Sequence, residues 1–313
     1  MILLLQYTII FASVLSLVAL GGCFSEHSGV INLGLEGIMV MGALGGALAM
    51  NVFGSIGNPF LMILVVCVAA ILFGVIYSAL LAVACINFNA DQTLVGTAMN
   101  LLATSIAAVL VRAYNSSLNA SDVSTTLRYV APKKMFLLKF GDFEFNWMML
   151  IAAVLLVVMY IVLYKTRFGL RLRACGENPQ AANSVGIDVY KMRWSGVLIS
   201  GLLGGLGGVA YVMAGVSEWK FEVGVAGFGF LSLAVMIFGQ WKPHKIALAA
   251  LLFGFFRALS NVYTGIGFLA ALNLPATFYN MLPYIISLVV LAFTSQNSAA
   301  PKAEGIPYDK GQR

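Results

Sequence analysis

Charge is the scarcest property of this 313-residue sequence, because only 10% of its residues are Asp, Glu, Lys or Arg, against about a quarter in a soluble domain. Hydrophobic residues make up 61% of the chain, and its mean hydropathy is +0.94. This composition excludes an ordinary soluble fold. A membrane helix needs roughly 20 apolar residues, so about eight to ten such helices leave no room for a large catalytic or nucleotide-binding domain.

Several chemical signatures are also missing. The chain has no G-x-x-x-x-G-K-[ST] phosphate-binding loop, and no H-E-x-x-H motif involves its 2 histidines. Its 4 cysteines show no C-x-x-C spacing, so neither a disulfide framework nor a metal site is indicated. No paired acid and base stands out. We therefore predict a protein that is not an enzyme, catalyses no covalent reaction itself and needs no cofactor or metal.

Apolar runs separated by polar, glycine or proline residues predict an all-α, polytopic transmembrane helical bundle of about 8–10 membrane segments. Broken or re-entrant helices are expected at two places. The run at 228–238 is short, and 264–277 is interrupted by two glycines and a proline. The nine clearest runs lie near residues 2–20, 30–50, 59–86, 93–111, 147–164, 195–216, 228–238, 246–262 and 279–293.

The positions of lysine and arginine predict the orientation in the membrane. Residues 165–195 hold six cationic side chains against two acidic ones, and short cationic loops stay in the cytoplasm. Residues 240–245 and the cationic C-terminal end then lie on the same side. Residues 114–146 lie outside, although they also carry four cationic side chains. The first loops contain no lysine or arginine, which leaves the side of the N-terminus open.

The last 19 residues, 295–313, are polar and are punctuated by Pro301, Gly305 and Pro307. Such a composition buries too little apolar surface to order a chain by itself. We therefore predict a disordered cytoplasmic tail.

Residues 176–186 carry the start and stop signals of a two-turn helix. Asn178 suits the N-cap, Pro179 suits the first helical position, and Gly186 suits a left-handed residue after the last turn. Asp188 can then cap a second helix that continues into the next membrane run. The pattern predicts two consecutive capped helices in the cytoplasmic loop.

A helix of two turns is marginal in water and needs a surface to dock against. The small face formed by Ala181, Ala182 and Val185 lacks the cationic and aromatic residues of a membrane-surface helix. A groove on another protein is one acceptor. The alternative is a plain connector that packs on its own chain.

Two polar residues lie near the start of the second apolar run. Asn32 and Glu36 are four residues apart, a spacing that places them on one helical face, while Gly34 and Gly37 permit a break or a close approach. A carboxylate at the centre of a membrane helix costs about 2.5–3.5 kcal/mol, so Glu36 should face the protein interior or a wet cavity. Glu36 is thus a candidate for a solute path, or else a partner for a neighbouring helix end.

A second polar group enters the fourth apolar run and includes Gln92, Thr97 and Asn100. Amides can hydrogen-bond sugar hydroxyls and base edges without the cost of a buried charge. In membranes they also join helix to helix. Both contact with a transported ligand and helix packing remain open for these residues.

Small residues recur at the four-residue spacing of closely packed membrane helices. The pairs are Gly42 with Gly46, Gly201 with Gly205, and Gly204 with Gly208. We predict close helix contacts at these positions.

Four blocks of the sequence resemble, in order and at family-like spacing, the permeases of bacterial ABC importers for ribose-type sugars and nucleosides, in the branched-chain-amino-acid/ribose permease superfamily. They are INLGLEGIMVMGA at 31–43, DQTLVGTAMNLLA at 91–103, GENPQAANSVGIDVYKMR at 176–193 and GFGFLSLAVMIFGQWKP at 227–243. The M-L-P-Y at 281–284 is a fifth match. The L-E-G and I-F-G-Q-W-K-P stretches are more similar to the nucleoside branch. Phe228 departs from that branch, which often has Arg there, and Asp91 departs from the more frequent Asn.

The resemblance implies that residues 1–294 form a transmembrane permease domain, which carries a nucleoside or related simple sugar across a bacterial cell membrane. It implies a second related permease subunit in a heterodimer, a cytoplasmic ABC ATPase and an extracytoplasmic substrate-binding lipoprotein, with no nucleic-acid partner. The short helix would be the coupling helix seated in the ATPase. The residues that would contact or position the ATPase are Glu177, Asn178, Pro179, Ala181, Ala182, Val185 and Gly186. The candidates for the translocation path remain Asn32, Glu36, Gln92, Thr97 and Asn100.

A rival interpretation comes from another class of transporter. An ion-coupled secondary transporter of a small polar solute would use Glu36 as its proton carrier. Uptake that persists after the proton gradient is collapsed, while ATP remains, would favour the importer.

Overall fold

The computed structural model describes residues 2–129, 134–141, 143–214, 218–221, 224–265, 269, 275–294 and 299–310. Helices dominate these residues, and short strands join only the loops at one end of the bundle. The helices are α1 (Ile2–His27), α2 (Leu35–Val52), α3 (Pro59–Ala82), α4 (Gln92–Leu118), α5 (Trp147–Lys165), α6 (Arg167–Glu177), α7 (Pro179–Ser184), α8 (Val189–Met213), α9 (Phe228–Phe238), α10 (Pro243–Val262) and α11 (Ala276–Thr294). A π-helical turn, Val83–Asn87, continues α3. The strands are β1 (Thr126–Arg128), β2 (Leu137–Phe140), β3 (Phe143–Asn146) and β4 (Glu218–Lys220).

Within the described residues, seven helices are long and apolar enough to cross a membrane: α1 to α5, α8 and α10. Two shorter apolar helices join them, α9 and the segment Thr277–Val289 of α11. The prediction of an all-α polytopic bundle is confirmed. α9 has 11 residues and therefore spans only about 16 Å at 1.5 Å per residue, roughly half the hydrocarbon core. Of the other predicted break, residues 266–268 and 270–274 lie outside the described residues.

Glycines let α8 approach both α2 and α3 at backbone distance. A Cβ added at Gly42 would collide with the backbone of Gly205, and one added at Gly74 would collide with the carbonyl of Gly201. A Cβ at Gly205 would in turn meet the carbonyl of Ala70. The glycine spacings therefore mark close helix contacts, as predicted, and α8 packs against both α2 and α3.

The three cationic segments meet at one end of the bundle, which we call the cationic end. The His27 ring at the end of α1 lies 3.0 Å from the carbonyl oxygen of Trp241, between α9 and α10. The amide of Ala303 donates to the carbonyl of Gly176, at 2.8 Å. Residues 165–195, 240–245 and 299–310 thus surround the last turn of α1.

The strands lie at the opposite end, which we call the strand end. β1 pairs antiparallel with β4, and β2 pairs with β3. The Gln6 side chain, in the first turns of α1, donates to the carbonyl of Glu144 in β3, at 3.4 Å. α1 therefore runs from the strand end to the cationic end, which places the N-terminus opposite the cationic loops.

The C-terminal residues 299–310 differ from the disordered tail that the composition suggested. Ala303 is 6% exposed and Tyr308 is 3% exposed, and both lie against the cationic end. Isolated contacts hold the segment: backbone hydrogen bonds to Gly29 and Gly176, and a carbonyl that accepts from Arg193. Because these contacts are isolated, the segment lacks the periodic apolar pattern by which the sequence would have predicted an ordered structure. Residues 295–298 and 311–313 lie outside the described residues.

Candidate functional site

The short helix α7 begins and ends as its sequence predicts. The Asn178 side chain accepts a hydrogen bond from the amide of Ala181 at 3.0 Å, and Pro179 occupies the first helical position. Gly186 has φ +83°, and its amide donates to the carbonyl of Asn183 at 3.0 Å. The helix is six residues long, and Val185 follows its last turn rather than lying within it.

α7 has one exposed face and one face packed on its own chain. Glu177 at the end of α6, Ala181 within α7 and Val185 just after its last turn are all exposed, and Val185 keeps 75% of its surface accessible. Pro179 and Ala182 are buried. The structure thus separates Ala182 from the face on which the sequence placed it with Ala181 and Val185. The exposed surface is therefore small and mixed: Ala181 and Val185 are apolar, and the neighbouring exposed side chains are polar.

A capped turn connects α7 to α8. The Asp188 carboxylate accepts the amide of Lys191 at 3.1 Å and pairs with the ammonium of the same residue at 3.2 Å. The Lys191 amide lowers the pKa of Asp188, which therefore stays ionised at the helix N-terminus. Further along α8, the Trp194 indole donates to the Asn87 side chain at 3.0 Å, so α8 is also fastened to the end of α3.

A second polar site lies inside the bundle, where α2 begins. Residues 28–34 are not helical, and α2 starts only at Leu35. Asn32 therefore does not share a helical face with Glu36, and that expectation was wrong because the helix starts between the two residues. The fully buried Asn32 side chain donates to the hydroxyl of Ser200 at 2.8 Å and accepts the amide of Gly34 at 3.1 Å.

Glu36 caps the half-length helix α9. Its carboxylate accepts the amide of Gly227 at 2.9 Å and the amide of Gly229 at 2.7 Å. The first amides of a helix lack intrahelical partners and carry a partial positive charge, so a carboxylate stabilises them. Glu36 thus satisfies the end of a neighbouring helix, which is the alternative that the sequence left open for it.

Two amide side chains of α4 hold the same junction. Gln92 accepts the amide of Ile31 at 2.7 Å. Asn100 accepts the amide of Gly37 at 2.8 Å and donates to the carbonyl of Leu33 at 2.9 Å. These bonds satisfy the backbone of the non-helical segment inside the apolar bundle. We call Asn32, Glu36, Gln92 and Asn100 the polar junction.

Thr97 stands apart from the polar junction. It is exposed on α4, and its hydroxyl donates to the carbonyl of Thr93 at 2.8 Å. Leu94 and Leu101, each about one turn away, are 71% and 70% exposed. The structure therefore brings together four of the five candidates and leaves Thr97 on an outward face of the chain.

An aromatic and cationic cluster beside α9 was not assigned a role from the sequence. The Arg257 guanidinium lies 5.3 Å from the centre of the Phe228 ring, and Tyr211 packs against the same ring at 4.8 Å. The hydroxyl of Tyr284 donates to the carbonyl of Ala226 at 3.2 Å. Three aromatic residues and one arginine on four separate helices give no local signal, so only the fold reveals that they meet.

These elements define a class of protein: a multi-pass membrane protein with a glycine-packed bundle, a polar helix junction inside it and a capped helix at its cationic end. The sequence matches the family model of branched-chain amino acid transport system permease components over residues 4–291, and the chain belongs to that family.

Curated relatives match over nearly the whole length. The chain is 38% identical to the nucleoside ABC transporter permease protein NupC of Lactococcus lactis, over 97% of this chain and 96% of the relative. It is also 38% identical to the guanosine ABC transporter permease protein NupQ of Bacillus subtilis, over 98% and 96%. A second Lactococcus lactis protein, the nucleoside ABC transporter permease protein NupB, is 32% identical over 36% of this chain and 34% of its own.

Proposed function

We propose that this chain is the permease subunit of an ATP-binding-cassette importer and forms the translocation path for a nucleoside or a related simple sugar. The observation that carries the proposal is α7: a helix of six residues with a cap at each end, two residues buried against its own chain and an exposed side. The 38% identity to two permeases named for nucleoside or guanosine transport supports the choice of cargo.

Energy would come from a separate cytoplasmic ATPase subunit. The chain has no phosphate-binding loop of its own. In this proposal the ATPase covers the exposed face of Glu177, Ala181 and Val185, while Asn178 and Gly186 fix the ends of the helix and Pro179 and Ala182 seat it on the permease. The cationic end then faces the cytoplasm, in line with the excess of lysine and arginine there.

Two further partners belong to the proposal. A second, related permease would complete the path as a heterodimer, and the two nucleoside permease proteins of Lactococcus lactis that resemble this chain support that arrangement. A substrate-binding lipoprotein would deliver the cargo at the strand end.

We assign the translocation-path candidates two roles. The polar junction borders the path and holds α2, α4, α8 and α9 in position through bonds to backbone and to Ser200. Thr97 lies on an outward face of α4 and is available to the cargo or to the second permease. In this assignment Thr97→Val changes the apparent affinity for cargo, whereas Asn100→Leu lowers the stability of the subunit.

Photo-cross-linking in membranes that contain the complete transporter tests the coupling surface. Benzoyl-phenylalanine replaces Val185, which is 75% exposed at the cationic end, and in a matched control it replaces Val123, which is 65% exposed beyond α4. We expect Val185 alone to capture a subunit that mass spectrometry identifies as the nucleotide-hydrolysing one. Capture of that subunit at neither position, in membranes that import cargo, would contradict the proposal.

The cargo is tested separately with proteoliposomes that contain the complete complex, internal ATP and the binding protein. Uptake of labelled guanosine and of labelled ribose is compared at equal concentration. We expect ATP-dependent uptake of the nucleoside to exceed that of the sugar. Uptake of ribose alone would move the chain to the sugar branch without changing its role as a permease.

A further inference from the structure

The C-terminal segment, residues 299–310, reaches the buried side of the short helix α7. Tyr308 is 3% exposed and packs in a small apolar cluster with Cys175, Ala182 and Val189. Cys175 belongs to α6, Ala182 to α7 and Val189 to α8. One tyrosine from the far end of the chain therefore shares an apolar cluster with all three helices of residues 165–195, which we call the coupling loop.

Backbone hydrogen bonds fix the segment on both sides of a tight turn. The amide of Ala303 donates to the carbonyl of Gly176 at 2.8 Å, one turn before α7, and the amide of Gly305 donates to the carbonyl of Gly29 at 3.3 Å. Gly305 has φ +76°. The segment thus joins the end of α1 to the coupling loop.

A buried arginine holds the last part of the segment. Arg193 of α8 is 1% exposed, and its guanidinium donates to the carbonyl of Ile306 at 3.0 Å. The same guanidinium lies 5.8 Å from the centre of the Tyr308 ring. The Tyr190 hydroxyl donates to the Tyr308 carbonyl at 3.3 Å, and the two rings meet edge to face at 5.3 Å. A buried cation needs such partners, which explains why the segment is docked.

We propose that the C-terminal segment forms part of the surface that contacts the ATPase subunit, and that Tyr308 positions α7 for this contact. This role of Tyr308 rests on the proposed function, because α7 is the helix that the ATPase subunit would contact. A six-residue helix cannot hold its own shape, so its exposed face transmits force only if its buried face rests on something firm. The apolar cluster in which Ala182 is buried includes Tyr308.

The C-terminal segment also lines a groove beside the turn between α7 and α8. A cavity of about 520 Å³ is lined by residues of the α7–α8 turn together with Tyr308 and Lys310. Its wall is continuous with the exposed face of Val185 through Gly186 and Ile187. The segment therefore shapes the surface on which the ATPase subunit would dock, as well as supporting the helix from below.

The test compares Tyr308→Ala and Tyr308→Phe in the complete complex, with Lys302→Ala as an exposed control in the same segment. We expect Tyr308→Ala to lower the amount of cargo imported per ATP hydrolysed at least tenfold, and Tyr308→Phe, which keeps the ring, to remain within twofold of the unmodified protein. The Val185 cross-link to the ATPase subunit should weaken in Tyr308→Ala only. If Tyr308→Ala does not accumulate in membranes, Tyr308→Leu replaces it, with the same expected direction.

Two results separate this inference from the proposed function. An unmodified complex that imports cargo without any Val185 cross-link overturns the coupling surface itself. An unmodified complex that imports and cross-links, together with a Tyr308→Ala variant, or the Tyr308→Leu variant that replaces it, that keeps the same import-to-hydrolysis ratio, overturns the role of the C-terminal segment alone.

Discussion

Replacing Glu36 by glutamine tests whether this carboxylate holds a helix or carries a proton. Both oxygens accept backbone amides, from Gly227 at 2.9 Å and from Gly229 at 2.7 Å. Hydrogen bonds to charged groups contribute about 1.5–3 kcal/mol each. Glutamine keeps one acceptor oxygen and presents an NH₂ group to the second amide, so one bond is lost and a donor faces a donor.

The expected cost is therefore about 2 kcal/mol or more, which corresponds to a factor of roughly 30 in the equilibrium that keeps α9 capped. We expect Glu36→Gln to lower the thermal unfolding midpoint of the purified complex and to lower uptake in proportion to the folded fraction. Glu36→Asp serves as the matched variant. It keeps the charge but shortens the side chain, so it should recover part of the stability.

The same variant separates the importer from an ion-coupled transporter. We expect uptake by the unmodified complex to continue when an ionophore collapses the proton gradient while ATP is present. If Glu36→Gln were as stable as the unmodified protein and yet lost all uptake, and if the ionophore stopped the unmodified complex, Glu36 would be a proton carrier and the capping argument would fail.

Three further substitutions test other parts of the structure. Gly205→Ala should cost about 1–3 kcal/mol, because its Cβ would collide with a carbonyl of α3, whereas Gly57→Ala has open space around it and should be neutral in the same thermal unfolding assay. Gly186→Ala adds no collision but places an L-residue at φ +83°, so about 1–2 kcal/mol of strain should lower import per ATP hydrolysed, and Gly186→Pro, which also removes an amide donor, should lower it further. Burial raises the pKa of Glu304 from 4.5 to about 7. Docking of the C-terminal segment should therefore be strongest below pH 4.5 and weaken as the pH rises through about 7. Because the buried Glu26 carboxylate interacts with Glu304, Glu304→Gln should reduce this dependence, which is followed as the rate of trypsin cleavage at Lys302 in the unmodified protein divided by the rate in Glu304→Gln at the same pH, between pH 6 and pH 8.

The features that the sequence predicted well are those whose signals lie close together along the chain. The N-cap of α7 is set by Asn178 and its stop by Gly186, eight residues apart, and both have the expected geometry. The apolar runs and the glycine spacings predicted the helices and their close contacts for the same reason. In a helix, residues three or four positions apart lie side by side, so such signals predict contacts directly.

The features that the sequence could not predict depend on partners far along the chain. Glu36 meets Gly229 across 193 residues, and Arg193 meets Ile306 across 113 residues. The spacing of Asn32 and Glu36 suggested one helical face, but the start of a helix within an apolar run depends on which side chains satisfy the preceding backbone. Here these are Gln92 and Asn100, from another helix. Local patterns contain no information about such pairs.

Close glycine contacts link the coupling loop, through α8, to the helices inside the bundle. α8 begins at the capped turn after α7 and packs against both α2 and α3, where Gly205 lies against the backbone at Gly42 and Ala70. Flexible side chains would absorb part of a small shift, but backbone in contact with backbone leaves nothing to rearrange. If the ATPase subunit tilts α8, we therefore expect α2 to move with it, and α9 to follow because Glu36 of α2 holds the amides of Gly227 and Gly229.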